Sequence, residues 1–215
     1  MKIPFLLVLF LAASWSSFSQ TVNLEKLKTG DNCSVVNRSM SSLKDGSRSG
    51  VSLDEREGNG LVWLDGVSFA SGTIDVDIRG KNKPGQSFVG IAFHGGGDDT
   101  YDAVYFRPFN FQSPDPARKS HSVQYISMPD KDWSVLRQQF PGKYENQLTD
   151  VVNPDEWFHA RIEVADRSIS VFVNGASNPS LVVEKLNERT TRRIGLWVGN
   201  GSAGDFANLV VASNE

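Results

Sequence analysis

The chain of 215 residues holds one cysteine, Cys33, three histidines and no excess of basic charge: 22 Lys and Arg stand against 25 Asp and Glu, for a formal net charge of -3. A lone cysteine excludes an internal disulfide framework and any multi-cysteine metal site. The mild acidity argues against a nucleic-acid binder, whose affinity rests on a basic patch, and the apolar content is too high for a disordered acidic tail. No zinc-ligand spacing joins His94, His121 and His159, and the chain contains neither a P-loop nor a Gly-x-Ser-x-Gly nucleophile turn. Long apolar runs are missing too. The one candidate, Ile3 to Ala13, is shorter than the roughly 20 residues that span a bilayer, so no membrane span is expected.

That run follows Lys2 and is succeeded by Ser17-Phe18-Ser19 and then Gln20, the pattern of a secretory signal with small residues where a peptidase reads. Residues 1–19 are therefore expected to be a signal peptide, and residues 20–215 a single domain, secreted or periplasmic. Its removal takes away Lys2 and no acid, which leaves the remainder more negative and weakens any case for anionic partners. Cys33 lacks the small-residue context of a lipid attachment site and reads as a small, partly buried hydrophobe.

From Gly50 onward the dominant signal is alternation of period two, broken by Gly, Pro, Asn and Asp clusters. Val51 and Leu53, Leu61 and Trp63, and Ile74, Val76 and Ile78 form three such runs. Further strands are expected at 88–94, 103–107, 122–126, 157–164, 168–173, 194–198 and 206–211, with Ala165-Asp166-Arg167 as a hairpin connection. Helical spacing is brief, near Leu24 to Lys28 and Trp133 to Phe140. Many short strands without long helices predict an all-β fold, a two-sheet antiparallel jelly-roll sandwich.

One face of these strands carries core aliphatics, and the other carries His94, Tyr105, Arg107, Tyr125 or Gln124, and Trp197, which are costly residues to leave on a merely solvated face. Rings that stack on the apolar faces of sugars, beside Arg, Gln and Asn donors for hydroxyls, suit a groove for glycan. The alternative is that they pack under loops, as Tyr and Trp commonly do. Two long loops add candidates: Asn110 within Arg107 to Phe111, and Trp133, Arg137, Tyr144 and Glu145 within Met128 to Glu145. The expected ligand-binding residues are thus Tyr105, Arg107, Asn110, Gln124, Trp133, Tyr144 and Trp197. Glu145, His94 and His121 are the candidate proton-transfer groups.

Asp75 and Asp77 share one face of a strand at a spacing that paired glycosidase carboxylates tolerate, but they read more simply as a solvated strand face. Asp98, Asp99 and Asp102 follow Gly95-Gly96-Gly97 and could hold calcium, although not in the spacing of an EF-hand loop. No other metal or cofactor is expected.

The strings Gly72-Thr73-Ile74-Asp75-Val76-Asp77-Ile78, Phe88-Val89-Gly90-Ile91-Ala92-Phe93-His94, Trp157 to Val164 with Val171-Phe172-Val173-Asn174-Gly175, and Ile194-Gly195-Leu196-Trp197-Val198-Gly199 resemble a concanavalin A-like lectin/glucanase domain. They are similar in particular to the laminin G-like and 3-keto-disaccharide hydrolase-like branches of secreted bacterial proteins. The resemblance covers nearly all of the chain after residue 19 and implies a curved jelly roll with a carbohydrate-facing concave sheet. The Glu-x-Asp-x-x-Glu motif of laminarinase-type members has no counterpart, because Asp75 to Arg79 lacks both glutamates, so their catalytic residues do not carry over. The expected function is recognition of a glycan. The alternatives are a hydrolase or polysaccharide lyase working in the same groove, and a protein-interaction module.

Overall fold

The structure, a computed structural model, describes residues 17–214; the signal segment expected at residues 1–19 therefore lies mostly outside the described residues. Among the described residues fifteen strands form two antiparallel sheets. The first sheet contains β1 (Ser17–Val22), β3 (Met40–Asp45), β4 (Arg48–Arg56), β6 (Gly72–Arg79), β11 (Phe158–Val164), β12 (Ser168–Val173), β13 (Leu181–Glu184) and β15 (Ser202–Asn214). Its order is β13-β12-β11-β6-β15-β4-β3, with β1 pairing the far half of β15. The second sheet contains β2 (Cys33–Val36), β5 (Gly60–Leu64), β7 (Val89–Gly95), β8 (Asp102–Phe106), β9 (Val123–Ser127), β10 (Glu145–Asn146) and β14 (Arg193–Val198), in the order β10-β9-β8-β7-β14-β5-β2. Two short helices, α1 (Pro116–Lys119) and α2 (Trp133–Gln139), interrupt the loops of the second sheet. This is the jelly-roll sandwich expected of the alternating runs.

The sheets differ in how their outer faces are used. Along β11, β12 and β13 buried residues alternate with exposed or half-buried ones, which is the signature of a sheet with one face on the core and one in water. Residues of β5, β7, β8 and β9 are buried without exception. Both faces of the second sheet are therefore covered. Phe106 packs against Phe158 of the opposite sheet with ring centroids 4.9 Å apart, so its neighbours Tyr105 and Arg107 point away from the core. Ile91, Phe93, Val104 and Val123 fill the space between the sheets.

The covering of that outer face depends on Gly90. In register it lies between Tyr105 of β8 and Trp197 of β14. A Cβ there would fall 2.1 Å from the carbonyl oxygen of Val104 and 2.8 Å from Cβ of Tyr105. With no side chain in the gap, the rings of Tyr105 and Trp197 meet across β7 at 4.9 Å. Trp197 also donates its indole N–H to the Tyr101 hydroxyl at 3.0 Å, so its contact with Tyr105 and its polar edge are both fixed.

Candidate functional site

Reading across the second sheet, Glu145, Gln124, Tyr105, Gly90 and Trp197 are successive cross-strand partners, and Arg107 lies two residues beyond Tyr105 on the same face. Five strands thus bring residues far apart in sequence into one row. Arg107 organises it. Its Nη2 donates to the Tyr105 hydroxyl at 2.6 Å and to Gln124 Oε1 at 2.5 Å, and its Nη1 donates to the His121 carbonyl at 2.9 Å. The guanidinium carbon sits 4.8 Å from the centre of the Tyr105 ring. Tyr105 donates to the same Gln124 oxygen at 3.0 Å, which turns the amide nitrogen of Gln124 away and leaves it buried without a partner. Burial drives the Tyr105 phenol up to about 12, so it is a hydrogen-bond donor at any working pH.

Glu145 closes the row at β10. Arg137, from the last turn of α2, grips its carboxylate with two bonds of 2.9 and 2.6 Å, and Arg107 Nη1 stands 3.8 Å away. The hydrogen bond from Arg137 raises that guanidinium above its usual value. His121 brings Nδ1 to 2.8 Å from Glu145 Oε2, but off the line a ring N–H needs, so this buried nitrogen has no hydrogen-bond partner. Burial lowers the His121 imidazole more than the Glu145 charge raises it, and the two nearby arginines lower it further. It is neutral at pH 7.

α2 places the exposed part of the site. Asp132 caps it by accepting from the backbone N–H groups of Ser134 and Val135, and the preceding turn fixes Trp133 as the first helical residue. Trp133 is 47% exposed, the largest apolar side chain left open beside this face, and the Arg137 guanidinium covers it at 5.1 Å from the ring. On either side of Trp133 and Phe88 lie two adjoining depressions. One, of about 280 Å³, is lined by Arg107, Arg118, Arg137, His121, Asn110, Phe109 and the Pro84-Gly85 turn. The other, of about 210 Å³, is lined by Tyr105, Trp197, Ile126, Met128, Asn59, Asn200, Gly199 and Asp132. Both include Phe88 and Trp133, so the two lobes form one cleft pinched at its middle.

The expected residues are distributed unevenly over this geometry. Tyr105, Arg107, Asn110, Gln124, Glu145, His121, Trp133 and Trp197 come together at or beneath the cleft. Most of them form its floor rather than its surface: Tyr105, Gln124 and Trp197 are at most 3% exposed. Tyr105 and Trp197 pack beneath the loops while bordering the smaller depression, and Gln124 lies wholly beneath. His94 and Tyr144 do not join. His94 is placed by a left-handed backbone (φ +51°) at the end of β7, where its ring nitrogens lie 2.8 Å from Asp102 and 2.7 Å from the Ala70 carbonyl, which makes it part of a buried polar network. Tyr144 alternates with Glu145 and so takes the opposite side, with its ring against Phe140 and Tyr125.

The acidic residues considered for calcium are also separated. Asp98 accepts from the Trp63 indole, Asp99 from the Thr100 hydroxyl, and Asp102 is fully buried against Arg189, Asn187 and His94. Among the described residues no group of three His, Cys, Asp or Glu side chains is placed to hold a metal ion. Asp75 and Asp77, on the outer face of the other sheet, both bond to His159, and Asp77 also pairs with Arg48. Sequence reasoning missed Phe88, Arg118, Asn59 and Asn200 as cleft residues. For Arg118 a signal existed, because Asp115-Pro116 marks the cap and first position of a short helix.

Residues 13–211 match the family described as the 3-keto-alpha-glucoside-1,2-lyase-like domain. The chain belongs to this family. No curated protein matches the sequence. Among solved structures the fold is similar to carbohydrate binding module CBM66 from Bacillus subtilis, at 12% identity and a TM-score of 0.58, covering 83% of this chain and 93% of that one. It is also similar to the exoplasmic/lumenal domain of VIP36 in its Ca2+/Man3GlcNAc-bound form, at 13% identity and a TM-score of 0.55, covering 91% and 90%. A protein of unknown function with a galectin-like fold from Bacillus subtilis aligns at 12% identity and a TM-score of 0.54, covering 85% and 90%. At these identities the likeness concerns the fold. It agrees with the concanavalin A-like sandwich.

Proposed function

We propose that this family member is a secreted glycan-recognition domain whose ligand lies in the two-lobed cleft on the outer face of the second sheet. The observation that carries the reading is Trp133, a half-exposed indole between two depressions, backed by a guanidinium and flanked by Arg, Asn and His donors. A pyranose presents an apolar face to such a ring and hydroxyls at its edge to such donors. The structural neighbours named as a carbohydrate-binding module and as a mannoside-bound lumenal domain support it. Calorimetric titration against panels of neutral and acidic oligosaccharides should give dissociation constants between millimolar and micromolar, about -4 to -8 kcal/mol. No heat from either panel would end this reading.

A second reading, that the same cleft performs an elimination, draws support from His121. A neutral imidazole held beside a carboxylate and two guanidiniums is a suitable base at the wall of a cleft. In a 3-keto-glucoside, the substrate class in the family's description, the ketone acidifies the proton on C2. His121 would take that proton, the C2–H electron pair would form the C1=C2 double bond, and the C1–O bond would break. The departing oxygen would take a proton from the imidazolium or water. Arg107 and Arg137 would stabilise the enolate, and the Glu145 carboxylate, 2.8 Å from His121 Nδ1, would stabilise the imidazolium as it forms. Ultraviolet absorbance from the conjugated product, abolished in His121→Ala, would report it; no absorbance from 3-keto-glucosides would leave recognition alone.

A further inference from the structure

We infer that the ligand is an acidic saccharide of at least two units, with its anionic ring in the arginine lobe and a neutral ring in the lobe beyond Trp133. The inference rests on the glycan reading above and specifies its substrate class. The larger lobe is lined by three guanidiniums, Arg107, Arg118 and Arg137, and by no carboxylate. Glu145 lies behind them, 4% exposed, and is engaged by Arg137 and approached by Arg107, so it offsets part of their charge without facing the lobe.

Donors remain available. Arg137 spends Nε and Nη2 on Glu145 and keeps Nη1; Arg107 spends both Nη groups and keeps Nε; Arg118 has one loose contact, 3.9 Å from Asp115. The smaller lobe has the opposite character. Its one charged lining group is Asp132, whose Oδ1 is already taken by the cap of α2, and amides and rings make up most of the rest. An anion is favoured on one side of Trp133 and disfavoured on the other, so charge sets the direction in which a chain lies. Guanidinium recognises carboxylate and sulfate alike, because the planar carboxylate and the tetrahedral sulfate both offer a pair of acceptor oxygens to its fork.

The experiment titrates the protein with cellobiouronic acid and an unsulfated chondroitin disaccharide, each beside its carboxyl-reduced counterpart, and with singly sulfated cellobiose beside cellobiose. At least one uronate or sulfated disaccharide should bind about tenfold more tightly than its uncharged counterpart. The advantage should shrink as salt rises from 0.05 to about 0.5 M, because the lobe is open to solvent. Arg118→Gln, a surface change that keeps the fold, should bring the acidic ligand down toward its neutral counterpart. Preference for the sulfated probe alone would assign the anion as sulfate and support the same lobe. Equal affinity for charged and neutral forms would overturn the inference while leaving glycan recognition in place. Binding by none of the probes, charged or neutral, would overturn both.

Discussion

Two tryptophans of the site should fail in opposite ways. Trp133 is 47% exposed, whereas Trp197 is 3% exposed, stacked on Tyr105 and hydrogen-bonded to Tyr101. An aromatic side chain carries about 150 to 250 Å² of surface, so roughly 100 Å² of Trp133 is free for a ligand to cover. At about 25 cal/mol per Å² this sets an upper limit near 2.5 kcal/mol. After the entropy of fixing the sugar, Trp133→Ala should weaken binding by about 1 to 2 kcal/mol, or about five- to thirtyfold. Its stability cost is small, since the main lost contact is an exposed cation-π pair with Arg137, worth about 0.5 to 1 kcal/mol. Trp197→Ala instead opens a cavity in the covered face and should cost about 3 to 5 kcal/mol of stability. Denaturant melts and calorimetric titrations of the two purified variants separate these effects. If Trp133→Ala binds as the parent does, the cleft is not the binding site and the reasoning fails.

Gly90→Ala would press a methyl group into the Val104 carbonyl and the base of Tyr105; it should destabilise by about 2 to 3 kcal/mol, measured by urea unfolding, and a neutral result would mean the β7–β8 contact is looser than described. Glu145→Gln removes the charge between Arg137 and Arg107 and should cost about 2 to 3 kcal/mol, below the range for a fully buried pair because Arg137 is a third exposed. His121 has a folded value below its unfolded one of about 6.5, so the unfolded chain binds more protons there. Its contribution is therefore intact above about pH 6.5 and is lost as the pH falls toward the lowered folded value. Thermal melts between pH 7.5 and 5 should show a smaller acid loss in His121→Gln than in the parent; identical slopes would contradict the neutral assignment.

The strands with one wet face were the most legible part of the sequence. Asp75 and Asp77 alternate with Ile74, Val76 and Ile78 because one side of β6 packs on the core and the other carries polar side chains, although Asp77 is buried under Arg48, His159 and Asn208 rather than solvated as expected; the β11–β12 hairpin could be read from the same contrast. Short strands without that contrast were not legible: β2, β3 and β10 carry four, six and two residues and owe their pairing to neighbours, and β13 has a wet face but places Val182 on it, so its sequence shows no alternation. In the site, the face shared by Tyr105 and Arg107 followed from the period of two, since strand neighbours stay together once folded, whereas the choice between Gln124 and Tyr125 is made by the register that sets Gln124 opposite Tyr105. Tyr144 and His94 broke the inference for local reasons. One residue of offset sends Tyr144 to the other side of the sheet, and a left-handed turn at His94 ends the alternation that began at Phe88. Phe88 shares the face of Gly90 by that alternation but was not singled out, whereas Arg118, Asn59 and Asn200 reach the cleft through loop paths, and no periodicity records those.

The indole N–H signals in a two-dimensional NMR titration with a binding saccharide test the central claim most directly. Trp133 lies at the pinch of the cleft, whereas Trp157 lies on the outer face of the other sheet between Arg48 and Arg79, with its N–H on Asp45. The Trp133 signal should shift progressively and saturate while that of Trp157 stays in place. Movement at Trp157 with Trp133 unchanged would put the glycan on the wrong sheet for this account.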